Sequence, residues 1–118
     1  IAAIARHPSN ERALLWNPAG ASFEAALSAL GTPDASVGVI GGATVFALFL
    51  GRYDEFYLSR APNVRLPGGR PIFPEVPART PEQVLAAHGL RPDEPEMLDA
   101  AKGLTMVRWR RRKVTFTP

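Results

Sequence analysis

The sequence predicts an α/β fold with a mostly parallel central sheet, flanking helices and a C-terminal antiparallel hairpin. Three observations carry that expectation. Short apolar runs alternate with helical patterns in the order strand, helix, strand, helix, strand, with short joints that favour right-handed crossovers. Val37-Gly38-Val39-Ile40 is apolar on both faces, as suits a central parallel strand. Near the end, Glu96-Met97-Leu98-Asp99 and Leu104 to Trp109 flank Lys102-Gly103, a hairpin turn by composition.

Each element has its own warrant. Ile1–Arg6 reads as a short buried strand, followed by a turn at His7-Pro8-Ser9-Asn10. Ala13–Trp16 is a second strand, stopped by Asn17-Pro18-Ala19-Gly20. Ser22 is a natural N-cap for a helix whose apolar face is Phe23, Ala26, Leu27 and Leu30, with Gly31 and Pro33 ending it. After Val37–Ile40, Gly41-Gly42 breaks the strand. Thr44–Leu50 then reads as a helix with Val45, Leu48 and Phe49 inward, and Glu55–Ser59 as a fourth strand. Residues 61–79 are rich in Pro and Gly and read as a long loop with a short extended piece at Pro71-Ile72-Phe73. Thr80-Pro81-Glu82-Gln83 is a helix start with a capping box and Pro at the first position, and the helix ends at Gly89. Helical periodicity through Met97–Ala101 competes with the hairpin reading there.

Composition narrows the function classes. The 118 residues are 46% hydrophobic and 21% charged, ordinary globular usage that favours one domain. Without cysteine there is no disulfide, thiolate nucleophile or cysteine metal site. No apolar run reaches the roughly 18–20 residues of a membrane span, and a cytoplasmic setting is expected. The net charge of +3 is concentrated in Arg108, Arg110, Arg111, Arg112 and Lys113. One basic tail, even beside Trp109, is weaker grounds for nucleic acid than a basic face. The chain opens on Ile1-Ala2-Ala3-Ile4-Ala5 as a strand already under way, so upstream strands are expected to be missing.

The segment that carries chemistry is Val39-Ile40-Gly41-Gly42-Ala43-Thr44-Val45-Phe46. Glycines let backbone approach a ligand closely, and the free N–H groups of a helix start favour an anion such as a pyrophosphate. A plain tight turn explains the glycine pair equally well, since it falls short of the full dinucleotide fingerprint. Together with Phe49-Leu50, Asp54 to Ser59 and Pro67-Gly68-Gly69-Arg70-Pro71-Ile72-Phe73, however, this segment resembles the dihydrofolate reductase family over most of the chain. The resemblance implies a C-terminal portion of a single reductase domain that reduces 7,8-dihydrofolate to tetrahydrofolate with NADPH. It implies that Gly41, Gly42, Ala43, Thr44 and Val45 wrap the cofactor, with Phe46 beside them. Ile40 and Phe46 would line the contact between nicotinamide and pterin, Ser59 would hold the pterin, and Arg6 with His7 would lie near the adenosine 2′-phosphate. Phe46 replaces a frequent tyrosine and Ala43 a third glycine. The family's proton-donating acid has no match here, so a missing N-terminal segment or a second chain is expected to complete the fold, and the piece alone to be inactive.

The nearest alternative keeps the fold and changes the substrate to a ribosylated aminopyrimidine, as in the riboflavin-pathway reductase, toward which Leu66–Phe73 leans. A non-catalytic nucleotide- or nucleic-acid-binding module is a third. Elsewhere the bland readings prevail. His7 and His88 lack metal-type spacing, no serine shows a nucleophile elbow, and Asp54, Glu55 and Glu24 read as solvated. Trp16 and Trp109 read as core or strand-face residues.

Overall fold

The computed structural model describes residues 3–111; the expectations for Ile1, Ala2, Arg112 and Lys113 lie outside them. The chain divides into two compact units, Ile1–Gly38 and Val39–Pro118.

In the first unit, β1 (Ile4–Arg6) and β2 (Leu14–Trp16) pair antiparallel, with Ile4 opposite Trp16 and Arg6 opposite Leu14. Asn17 N–H donates to the Ala3 carbonyl at 2.8 Å. Gly20 packs so close to Ala3 that a Cβ there would lie 2.7 Å from the Ala3 Cβ. Helix α1 (Phe23–Ala29) begins as its sequence dictates, the Ser22 hydroxyl accepting from Ala25 N–H. It ends in a Schellman motif: Gly31, at φ 76°, donates to Ser28 and Thr32 donates to Leu27. Ala26 is buried, and the Trp16 and Phe23 rings sit 5.7 Å apart.

The second unit contains α2 (Ala43–Leu48), β3 (Glu55–Arg60), α3 (Pro81–Ala87), β4 (Leu90–Pro92), β5 (Glu96–Asp99) and β6 (Leu104–Arg111). Strand β6 is the centre of the sheet. It pairs antiparallel with β3 along its length, with Phe56 opposite Trp109 and Leu58 opposite Val107. It pairs with β4 at one end, where Pro92 also faces Trp109, and with β5 at the other. The β5–β6 hairpin forms as its turn residues predict, Gly103 taking φ 67°, with a register shift between Met97 and Asp99. Helical structure at Met97–Ala101 does not form.

The mostly parallel central sheet is corrected: every strand pair among the described residues is antiparallel. Val37–Ile40 is not a strand, and Ile40 is 96% exposed. Apolarity on both faces suits a strand, but a strand also needs hydrogen-bonded neighbours. The described neighbour of β3 is instead β6, returned by a hairpin rather than by a crossover. The extended piece at Pro71–Phe73 is likewise a series of bends. What its Phe73 supplies is a fully buried side chain, with Val84, Leu85 and Leu90 the other large core residues of this kind. The inward stripe of α2 is corrected in part. Val45 and Leu48 are exposed, whereas Phe49 is buried as expected, together with Leu50 just beyond the helix end.

Candidate functional site

The glycine pair sits at the start of α2. Gly41 has φ 96°, a left-handed conformation in which a side chain is strained. A Cβ on Gly41 would lie 2.8 Å from Cε2 of Phe46, so the ring folds back under the turn and closes that side of it. The Gly41–Gly42 peptide is cis. Gly42 differs from its neighbour in every respect that matters to a ligand: it is exposed, and a Cβ there would meet nothing within 4 Å.

Gly42 is the N-cap of α2 and has no side chain to offer as a cap. Its carbonyl accepts from Phe46 N–H at 2.8 Å, closing the first turn. The amides of Ala43, Thr44 and Val45 precede that bond and have no carbonyl partner one turn back. Thr44 and Val45 are exposed and Ala43 is partly exposed. The turn therefore leaves its first backbone donors without a side-chain cap, beside a glycine whose Cβ position is empty, an arrangement suited to an anionic group.

The other end of α2 is tied down tightly. Tyr53 donates its hydroxyl to the Phe46 carbonyl at 2.8 Å, and burial pushes its pKa up to about 12, so it remains a donor through the neutral range. Phe46 meets Phe56 edge-on at 5.7 Å and Phe73 at 6.5 Å, and Tyr53 meets Phe56 at 5.3 Å. The Arg111 guanidinium donates to the carbonyls of Tyr53 (2.9 Å), Leu50 (3.0 Å) and His88 (2.6 Å), linking the chain after α2 to the end of α3. The sequence shows Arg111 only as part of a basic tail; the structure makes it a three-way clamp. No spacing in the sequence announces this role, which depends on β6 returning beside Tyr53. Arg110 is likewise engaged, by Asp93 at 3.0 Å.

The remaining expected site residues scatter. Phe46 is half-buried in the aromatic cluster. Ile40, immediately before the turn, is almost wholly exposed. Ser59 lies on the β3 face of Glu55 and Tyr57, opposite the face on which Phe56 meets Phe46. Arg6 and His7 belong to the first unit, where His7 Nδ1 accepts from Ser9 N–H at 3.1 Å. Asp54 and Glu55 are exposed; Glu55 accepts from Tyr57 at 2.9 Å. Among the described residues no three His, Asp or Glu side chains gather as a metal site, and no helix is long and apolar enough to cross a membrane.

No family model, no curated protein and no solved structure matches this chain.

Proposed function

We propose that this chain is the C-terminal portion of a dihydrofolate-reductase-type domain, and that its Gly41–Val45 turn holds the phosphates of NADPH. The supporting observation is the start of α2: backbone donors without protein acceptors one turn back, reached across a glycine whose Cβ position is empty. The residues present fit the group, because only backbone is offered and nothing acidic stands in the turn. Bound there, NADPH would supply the hydride for reduction of 7,8-dihydrofolate to tetrahydrofolate.

The chain's own contribution is positional. Gly42 keeps the approach open, the amides of Ala43, Thr44 and Val45 donate to phosphate oxygens, and Phe46 closes the turn from beneath. Tyr53 and Arg111 fix the carbonyl end of α2, so the donors at its start keep one orientation. Ile40, exposed beside the turn, offers an apolar surface to the ring systems. Ser59 is assigned no contact, since it faces away from the Phe46 cluster. The proton donor is assigned to a complementing segment or a second chain, because the acid the family uses has no match in this sequence.

Substrate-dependent oxidation of NADPH by the complete protein tests the assignment. Turnover with 7,8-dihydrofolate and none with a ribosylated aminopyrimidine is expected. The reverse preference would move the chain to the riboflavin-pathway reaction, and turnover with neither would remove the reductase assignment.

A further inference from the structure

A second site lies away from the α2 turn, in a cleft of about 710 Å³ where α3 meets β4 and β6. Its chemistry comes from Arg79, Gln83, Arg91 and Trp109, and its remaining walls are small side chains such as Ala86 and Pro92. Trp109 is 5% exposed, and its indole Nε1–H is buried with no hydrogen-bond partner among the described residues. The contrast with Trp16 is direct, since that indole donates to the Ala21 carbonyl at 2.9 Å. An indole nitrogen can only donate, and leaving such a donor unpaired costs about 1–3 kcal/mol. A group of this kind calls for an acceptor, and the described residues provide none.

The other polar groups of the cleft ask for the same thing. Arg91 uses Nη1 on the carbonyls of Leu90 (2.9 Å) and Ala86 (3.3 Å), which anchors it at the end of α3. Arg79 uses Nη1 on Glu75 at 3.2 Å. The other nitrogens of both guanidiniums have no acceptor among the described residues. The Gln83 carboxamide oxygen accepts from Thr80 N–H at 2.9 Å, so the amide nitrogen is its remaining function. Among the described residues no carboxylate lines the cleft. The cleft is lined by donors, two of them cationic, and by Trp109, whose indole donor is buried and unpartnered among the described residues.

We propose that this cleft binds a small oxyanion, the carboxylate or phosphate group of a ligand, between Arg79 and Arg91, with an acceptor oxygen reaching Trp109. Guanidinium forks match both groups through paired hydrogen bonds. The site is independent of the reductase proposal: it shares no residue with the Gly41–Val45 turn, and either can fail alone.

Proton–nitrogen correlation spectra test it, because the chain has two tryptophans and therefore two indole signals. The spectrum of Trp109→Phe assigns them. The chain is titrated with sodium phosphate, with sodium malonate and with sodium chloride at constant ionic strength. The Trp109 indole signal is expected to shift saturably with phosphate or malonate while the Trp16 signal stays fixed, and the tighter-binding anion names the group recognised. Arg79→Gln, at a half-exposed side chain whose loss the fold tolerates, is expected to weaken that binding about tenfold or more, the worth of a bond between charged groups. Arg91→Lys, which keeps the charge and loses the fork, is expected to weaken it less. A Trp109 signal that follows neither oxyanion, that moves equally with chloride, or that saturates identically in Arg79→Gln would overturn the proposal.

Discussion

The two helix starts of the second unit differ in what satisfies their amides. At α3 the chain does so itself. The Thr80 hydroxyl accepts from Gln83 N–H at 3.1 Å, the Gln83 side chain accepts from Thr80 N–H at 2.9 Å, and Pro81 has no N–H to satisfy. At α2 the capping position is Gly42, which contributes no side chain, and the first-turn amides receive no side-chain cap. One start is a closed structural unit; the other is open to an external acceptor. The difference teaches that a strong helix-start signal marks stability, whereas a weak one beside glycines marks where a ligand can take the place of a cap.

The largest expected effect separates the two starts by function. Gly42→Val places a branched side chain in the open space before α2 and should weaken NADPH binding about 100-fold, the worth of one or two bonds to a charged group. Thermal unfolding should stay close to that of the parent, because nothing lies within 4 Å of the new Cβ. Gly41→Ala should do the opposite kind of damage. It forces a side chain into φ 96° against the Phe46 ring and should cost about 1–2 kcal/mol in urea unfolding. Adding Phe46→Leu to that variant should recover part of the loss, which a double-mutant cycle would measure.

Thr80→Ala should cost about 1 kcal/mol of stability, read from the urea midpoint, with NADPH affinity unchanged. The smallest effect concerns Asp93, whose carboxyl is held below its ordinary pKa, chiefly by the hydrogen bond from Arg110 and then by the charges of Arg110 and Arg108. A lowered folded-state pKa means the charged form is favoured by folding. Its stabilising contribution is present above the unfolded value and is lost as pH falls through the folded one. Asp93→Asn should therefore flatten the acid limb of the stability profile slightly, leaving the neutral and alkaline limbs in place.

Much of the local structure is legible in the sequence because its causes are local. Ser22, Gly31, Thr80, Pro81 and Gly103 each act within a few residues, and α1, α3 and the β5–β6 hairpin form where those residues place them. The illegible part depends on contacts distant in sequence. Whether Val37–Ile40 becomes a strand depends on a neighbour that no local pattern reports. Strand β4 is three residues long and exists because Arg111 and Trp109 of β6 come to lie opposite Leu90 and Pro92. The periodicity of α2 places Phe49 inward correctly but misplaces Val45 and Leu48, because so short a helix is fixed from its C-terminal end, by Tyr53 and the Arg111 clamp. The glycine pair is legible as a turn; the exposure of Gly42 and the closure of Gly41 by Phe46 emerge only in three dimensions. The cleft at Trp109 has no sequence signal, since an unpartnered indole can be recognised only once its surroundings are known.

Backbone amide chemical shifts followed during addition of NADPH test the central claim most directly, because both helix starts are read in one experiment. Saturable shifts at Ala43, Thr44 and Val45 are the expected result, whatever Gln83 does, since it lines the separate cleft at Trp109. Shifts confined to α3, or none at residues 43–45 at saturating cofactor, would contradict it.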